Sequence, residues 1–156
     1  MDIRAALPTD ALRLTAITHA AKLHWGYSDE LMALWDADLT VTPQFIDDHP
    51  VFCAVQGDEI VGFYALSRQG ATFDLEHLWV DPPHMGAGVG ARLFEHAVCT
   101  VRTLGGSQLT IASDPHAEGF YQRMGARRVG EAPSRPEGRT LPVLALLIWA
   151  DAVALP

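Results

Sequence analysis

The chain has 156 residues, of which 49% are hydrophobic and 19% are charged. This length suits one domain, and this composition is typical of a folded protein rather than a disordered one. Eleven Lys and Arg stand against nineteen Asp and Glu, which leaves a formal net charge of −8. That charge has the wrong sign for binding nucleic-acid phosphates or an anionic membrane. We therefore expect a single domain, residues 1–156, with neither kind of partner.

The cysteines and the first residues bear on where the protein works. Cys53 and Cys99 both lie in apolar runs, which predicts two buried thiols in a reducing compartment rather than a disulfide. The N-terminus lacks the basic and then apolar pattern of a signal peptide, and no apolar run approaches the roughly 18 residues of a membrane span. A cytoplasmic location is expected.

The first third of the chain predicts a short strand and two helices. The strand is expected from Ile3 to Ala6. A helix should begin at Pro8-Thr9-Asp10, because apolar residues then recur at helical spacing at Leu12, Leu14, Ile17, Ala20 and Ala21. Ser28 is the predicted N-cap of a second helix, and Trp35 near its end is expected in the core.

Three consecutive antiparallel strands are predicted next. Val51 to Val55 and Ile60 to Leu66 are rich in β-forming residues and flank a turn at residues 56–59, which indicates a hairpin. The third strand should run from Thr72 to Val80. If Leu75 and Leu78 both face the core, this strand must bulge near Glu76 or His77, because side chains alternate along a strand. An ordinary strand with one exposed leucine is the alternative.

The second half alternates helices and strands. A glycine-rich segment at residues 85–91 precedes a helix that ends at Gly105-Gly106, and a buried strand follows from Gln108 to Ala112. Asp114 is expected to cap a short helix that begins at Pro115 and closes at Gly125. The last strands are predicted at residues 126–129 and 141–149, separated by a loop rich in Pro, Gly and Arg.

The glycine-rich segment indicates a phosphate site. Without Cβ atoms, its backbone N–H groups and those of the next helical turn can approach an anion closely. The alternative is a flexible turn that uses glycine only for tight packing. The spacing of Gly86, Gly88 and Ala91 also fits the dinucleotide fingerprint, but Asp81 to His84 separate the strand from the loop, which argues against that fold.

Two segments carry a resemblance to a known family. Residues 75–91, LEHLWVDPPHMGAGVGA, and residues 113–126, SDPHAEGFYQRMGA, resemble the two signatures of the GNAT superfamily, the acyl-CoA-dependent N-acyltransferases. The order of elements matches from about Ile3 to Trp149. Two positions depart from the family pattern: Met85 stands where Arg or Gln is usual, and His116 where Asn is frequent.

The resemblance implies a fold and a cofactor. The fold is α/β of the α+β type, with a mixed, mostly antiparallel sheet of six or seven strands, splayed at the CoA site, and about four helices. Acetyl-CoA is the implied acyl donor and no metal is implied. The implied CoA-binding residues are Leu78, Trp79, Val80, Met85, Gly86, Ala87, Gly88, Val89, Gly90, Ala91, Asp114 and His116, with the backbone at 78–80 contacting the thioester carbonyl.

Acyl transfer to an amine needs a proton acceptor, carbonyl stabilisation and a proton donor. The resemblance places Tyr121 as general acid at the CoA sulfur, whereas its helical spacing alone favours core packing. Glu76 is the first candidate for general base, directly or through water, with His77 as its competitor.

Two further groups of residues are candidates, one for the acceptor pocket and one for a metal site. His24, Trp25 and Tyr27 lie where the family builds the acceptor pocket, and core packing is an equal alternative for them. Glu76, His77, Asp81 and His84 lack the spacing of a metal site.

The expected function is acetylation of a primary amine, of a small molecule, with acetyl-CoA as the donor. A non-catalytic acyl-CoA-binding regulatory module and a dinucleotide-binding oxidoreductase are the alternatives. A homodimer is left open.

Overall fold

A computed structural model describes residues 1–149 as one open sheet with helices on both faces. In chain order the elements are β1 (Asp2–Ala5), α1 (Ala11–His24), α2 (Asp29–Leu34), α3 (Asp36–Leu39), α4 (Pro43–Asp48), β2 (Val51–Gln56), β3 (Glu59–Gln69), β4 (Thr72–Val80), α5 (Val89–Thr103), β5 (Gln108–Ala112), α6 (Glu118–Arg123), β6 (Arg127–Pro133) and β7 (Thr140–Leu147). Short 3-10 turns lie at Pro8–Asp10, Pro82–His84 and Pro115–Ala117.

The sheet confirms the predicted fold class. Its seven strands run in the order β1-β2-β3-β4-β5-β7-β6, and every neighbouring pair is antiparallel except β4 and β5. The parallel pair joins only residues 72–74 of β4 to residues 108–110 of β5. Beyond Asp74 the two strands diverge, so the sheet is splayed at its middle.

The bulge in β4 is confirmed, and it falls at Glu76. Ala65 of β3 pairs with His77 while Leu66 pairs with Leu75, so Glu76 is the extra residue. Because of this insertion, the side chains of Leu75, Leu78 and Val80 all lie on the face that packs against α5. His77 and Trp79 instead face the side covered by α1 and α4.

Helix α5 forms where its apolar residues predicted it. Leu93, Phe94, Ala97 and Val101 are buried at helical spacing against the sheet. The helix ends just before Gly105, whose left-handed φ of +82° is a conformation that glycine adopts at little cost. At its other end, the first turn of α5 lies at the point where β4 and β5 separate.

The thiol prediction is half wrong. Cys53 on β2 is buried, and burial raises the pKa of its thiol to about 12, so it is chemically quiet. Cys99 is exposed, because on α5 it follows Glu95 by one turn on the solvent side rather than joining the stripe of Ala97 and Val101.

Helix α1 covers the opposite face, with one residue misjudged. Leu14, Ile17 and Ala21 are buried, but Leu12 is 86% exposed, because the buried stripe runs instead through Ala11. α2 begins after Ser28, whose hydroxyl accepts a hydrogen bond from the Leu31 amide, as predicted.

Other departures are short elements and strand ends. Helices α3 and α4 were not predicted, so the described chain has six α-helices rather than four. The short helix after Asp114 opens with a 3-10 turn before α6. β6 continues to Pro133, inside the predicted loop, and β7 stops at Leu147 rather than Trp149.

Candidate active site

A cleft of about 530 Å³ opens where β4 and β5 diverge. Its walls are the second half of β4, the end of β5, the glycine-rich loop and α6, with Trp25 at the end of α1. The residues predicted for the site that line this cleft are Trp25, Glu76, His77, Leu78, Trp79, Val80, Met85, Gly86, Gly88, Gly90, Ala91, Asp114, His116 and Tyr121. The fold thus brings the two family signatures to one place.

The glycine-rich loop offers backbone donors to the cleft. Gly86 and Gly88 have φ of +79° and +83°, and no side chain caps the start of α5. The first helical hydrogen bond runs from the Arg92 amide to the Gly88 carbonyl at 3.1 Å, so the amides of residues 89–91 have no acceptor within the helix. A helix start with free amides and glycine-lined access is a site for an anion.

Two of the predicted loop residues, Ala87 and Val89, do not line the cleft. The Val89 side chain is packed in the core, and Ala87 is exposed and does not line the cleft. Arg123 on α6 does line the cleft, and it brings a cation to the site whose loop begins with Met85. Arg123 was not among the predicted site residues, since its position on a short helix gave no sign of which way it faces.

The bulge of β4 sets apart the two candidate bases. Glu76 is exposed, and the Ser67 hydroxyl donates a 2.6 Å hydrogen bond to one of its carboxylate oxygens. His77 points to the other side of the strand, against Phe45 and Phe63. Burial lowers the pKa of His77 to about 4, and the Trp79 indole N–H donates to its Nδ1 at 2.9 Å. His77 is therefore a neutral, engaged imidazole.

Tyr121 combines a buried ring with a phenol at the cleft. Only 6% of the residue is exposed, and its ring packs against Phe94 and Phe120 at centroid distances of 5.8 and 5.1 Å. Burial, and secondarily the charge of Asp114, raise the pKa of the phenol above its ordinary value. The hydroxyl therefore keeps its proton, and within residues 1–149 it has no hydrogen-bond partner.

A buried ion pair lies just after the end of β5. Lys22 of α1 and Asp114 have side chains only 9% and 8% exposed, and Nζ lies 2.5 Å from Oδ2. Burial would raise the pKa of Asp114, but hydrogen bonds from the Lys22 ammonium and the His116 amide outweigh it and hold the pKa at about 2. Burial lowers the pKa of Lys22, and Asp114 partly restores it. The aspartate is ionised at neutral pH.

Aromatic and basic side chains enclose that pair. The Tyr27 hydroxyl donates to Asp114 Oδ2 at 2.9 Å, and the Arg139 guanidinium lies 3.9 Å from the same oxygen. Lys22 Nζ and the Arg139 guanidinium carbon each lie 4.6 Å from the Trp35 ring centroid. We call Lys22, Tyr27, Trp35, Asp114 and Arg139 the Asp114 cluster.

The three predicted acceptor residues separate in space. Trp25 lines the cleft, with its ring stacked on His116 at 4.9 Å and nearly parallel. Tyr27 belongs to the Asp114 cluster instead, and His24 packs edge-on against Trp25 without lining the cleft. Trp35 is buried, as expected.

No group of three or more His, Cys, Asp or Glu in residues 1–149 is arranged to hold a metal ion. None of the helices in that part of the chain has the length and apolar character needed to cross a membrane.

Comparison with known proteins agrees with the geometry. A family profile described as acetyltransferase (GNAT) domain matches residues 27–140. The chain therefore belongs to the GNAT superfamily of N-acetyltransferases. The predicted resemblance and fold are confirmed.

Individual relatives differ in what they are named for. A peptidyl-lysine N-acetyltransferase, YjaB, of Escherichia coli (strain K12) is 28% identical over 135 residues, which cover 76% of this chain and 88% of that protein. A blasticidin-S acetyltransferase of Streptomyces morookaense is 37% identical over 91 residues, covering 56% of this chain and 65% of that protein.

Solved structures support the fold. The PaiA N-acetyltransferase of Thermoplasma acidophilum, solved in complex with coenzyme A, superposes with a TM-score of 0.76 at 14% identity. The match covers 92% of this chain and 96% of that one.

Proposed function

We propose that this chain transfers the acetyl group of acetyl-CoA to a primary amine of a small molecule. The observation that carries the proposal is the cleft between the splayed strands, which has free helix-start amides at one end and the phenol of Tyr121 inside it. Both features are needed for an acyl-CoA-dependent reaction, because the donor is held by its phosphates and the departing thiolate needs a proton.

The residues present fit the donor. The amides of residues 86–91 would hold the pyrophosphate, whereas the Met85 amide already donates to the Pro82 carbonyl at 3.2 Å. The Arg123 side chain adds a positive charge at the cleft, where the loop itself begins with the uncharged Met85. When bound, acetyl-CoA supplies the activated thioester. The backbone of Leu78 to Val80, beyond the bulge, is free of β5 and lines the cleft where the thioester carbonyl would lie.

Tyr121 is the general acid in this proposal. Its protonated hydroxyl opens on the cleft, so it can donate a proton to the thiolate as the carbon–sulfur bond breaks. Of the two proton acceptors predicted on β4, Glu76 is the exposed one. His77 is a poor one, because its Nδ1 already accepts a hydrogen bond and its pKa is about 4.

A small cationic amine is the proposed acceptor. The net charge of −8 attracts amines in their ammonium form, and Trp25 offers an aromatic surface at the cleft. The relative named for blasticidin-S supports a small-molecule acceptor. The relative named for peptidyl-lysine supports the side chain of a protein lysine as the second candidate.

The experiment is release of free CoA thiol from acetyl-CoA with a panel of acceptors. The panel contains polyamines, aminoglycosides, amino-nucleosides and lysine-containing peptides, at low and at high ionic strength. We expect the largest kcat/KM with a small cationic amine, and a fall of that value with salt. A peptide as the best substrate would favour the second candidate. CoA binding without turnover on any acceptor would make the chain a non-catalytic acyl-CoA-binding module.

A further inference from the structure

His116 and Asp114 form a histidine–carboxylate pair at the edge of the cleft. His116 Nδ1 lies 2.8 Å from Asp114 Oδ1, and the backbone amide of His116 donates to the same oxygen at 2.9 Å. An ionised carboxylate only accepts hydrogen bonds, so Nδ1 carries the proton of the neutral ring. The lone pair of that ring is therefore on Nε2, at the other side of the imidazole.

The surroundings fix this ring in one orientation. Asp114 is held by the ammonium of Lys22 and by the hydroxyl of Tyr27, and the ring face of His116 stacks on Trp25. The His116 side chain is 43% exposed and lines the cleft. In the described part of the chain Nε2 makes no hydrogen bond, so the basic nitrogen is presented to the cleft.

The His116–Asp114 pair differs from Glu76 and His77, the two candidate general bases on β4. One carboxylate oxygen of Glu76 accepts a hydrogen bond from Ser67 at the bulge, and His77 is half-buried with its Nδ1 occupied. Of these three residues, only His116 pairs one ring nitrogen, Nδ1, with a buried carboxylate and leaves the other, Nε2, facing the cleft. A carboxylate behind an imidazole selects its tautomer and stabilises the imidazolium that forms on proton transfer.

We propose that His116 is the general base for the acceptor amine and that Asp114, held by Lys22, is its positioning residue; this rests on the proposed function. The acceptor enters this step as the neutral amine, its ammonium proton having gone to solvent. Its nitrogen forms a bond to the thioester carbonyl carbon as His116 Nε2 takes a second proton from that nitrogen. The carbon–sulfur bond then breaks, and the thiolate takes the proton of the Tyr121 hydroxyl. The imidazolium returns its proton through water to the Tyr121 phenolate. The products are the acetylated amine and free CoA.

The test compares His116→Asn with the wild-type chain. The Asn amide nitrogen takes the place of Nδ1 and can still donate to Asp114, but nothing takes the place of Nε2. We expect kcat/KM for the amine to fall about 100-fold or more, because general bases typically contribute 10² to 10⁴. CoA affinity by titration calorimetry should change less than about twofold, and added imidazole should restore part of the rate.

His19→Asn is the matched control. His19 Nε2 lies 2.9 Å from Asp36 in a second His–Asp pair outside the cleft, so this variant should keep wild-type turnover. The proposal is overturned if His116→Asn keeps more than half of the activity, if its loss is explained by weaker CoA binding, or if Glu76→Gln loses more than His116→Asn. Failure of the proposed function would look different, as a wild-type chain that binds CoA and acetylates no amine.

Discussion

The two ends of the cleft are built in opposite ways. The glycine-rich loop uses the backbone of one short segment, and its chemistry comes from amides at the start of α5 that no side chain caps. The Asp114 cluster uses side chains from distant parts of the chain: Lys22 lies 92 positions and Tyr27 lies 87 positions before Asp114. One end is local in sequence, and the other exists only after the chain has folded.

This difference explains what each end tolerates. At the loop, we expect Met85 to be tolerated in place of the usual Arg or Gln, because the backbone donors at the start of α5 remain in place. At the Asp114 cluster, each side chain compensates another that is buried with it, so a single truncation leaves a charge without its partner. Changes at the cluster should therefore cost stability, whereas changes at the loop should mainly cost CoA binding.

The largest effect is expected from Lys22→Met. Methionine keeps much of the side-chain volume but leaves the ionised Asp114 buried with only Tyr27, His116 and the more distant Arg139. Breaking a buried ion pair from one side typically costs about 3 kcal/mol or more. Chemical denaturation monitored by circular dichroism measures this loss as a lower free energy of unfolding.

Arg135→Met is the control for that prediction. Arg135 pairs with Asp38 at 2.5 Å, but both side chains are more than half exposed, so the loss should be below about 1 kcal/mol. Equal losses in the two variants would contradict the distinction between a buried cluster and an ordinary surface pair.

Gly88→Glu tests the other end of the cleft. A glutamate at this position places a carboxylate beside the amides that would hold the pyrophosphate, so we expect CoA affinity by calorimetry to fall about 100-fold, or about 2.7 kcal/mol. Gly57→Glu is the matched control, because Gly57 also has a left-handed φ, of +60°, but lies in the β2–β3 turn away from the cleft. A Gly88→Glu protein that stays folded and binds CoA normally would remove the loop from the site.

The sequence predicted the parts that local patterns encode. The strand from Thr72 to Val80, its bulge and the glycine-rich helix start were all readable, because alternation, an extra residue between leucines and glycine spacing are properties of short segments. The same reasoning missed α4, although Thr42 followed by Pro43 is a helix-start signal and the Thr42 hydroxyl does accept from the Phe45 amide.

The Asp114 cluster was not readable in the same way. Lys22 is the one lysine among eleven basic residues, yet nothing in its neighbourhood shows that α1 carries it to the end of β5. Arg139 lies in a segment predicted as loop. Tyr27 was predicted as a wall of the acceptor pocket, not as a hydrogen-bond donor to a carboxylate. Such contacts depend on how distant elements pack, and no local spacing records them.

Tyr121→Phe asks whether the chemistry depends on a residue that lies between the two ends. The ring keeps its packing against Phe94 and Phe120, so only the donated proton is lost. Turnover should fall at least about tenfold with CoA affinity nearly unchanged. Tyr64→Phe is the control, since its hydroxyl hydrogen-bonds to His96 and Thr100 on α5 and its loss should lower stability without changing turnover. Full turnover in Tyr121→Phe, measured where chemistry limits the rate, would make Tyr121 a core residue.

The smallest effects should come from adding one methyl group at Gly88, which precedes α5, and at Gly90, in its first turn. Gly88 has φ of +83°, so Gly88→Ala is strained and should lower the free energy of unfolding by about 1 kcal/mol, even though its Cβ would meet no atom within 4 Å. Gly90 lies inside α5 without a positive φ, and its Cβ would rest 3.6 Å from the Phe120 ring, an ordinary contact. Gly90→Ala should therefore raise the free energy of unfolding, by at most about 1 kcal/mol, the gain expected inside a helix. Denaturant titration of both variants gives the two signs side by side. Opposite signs would show that the loop is specified by its backbone conformation, whereas equal effects would mean that glycine serves there only to make room.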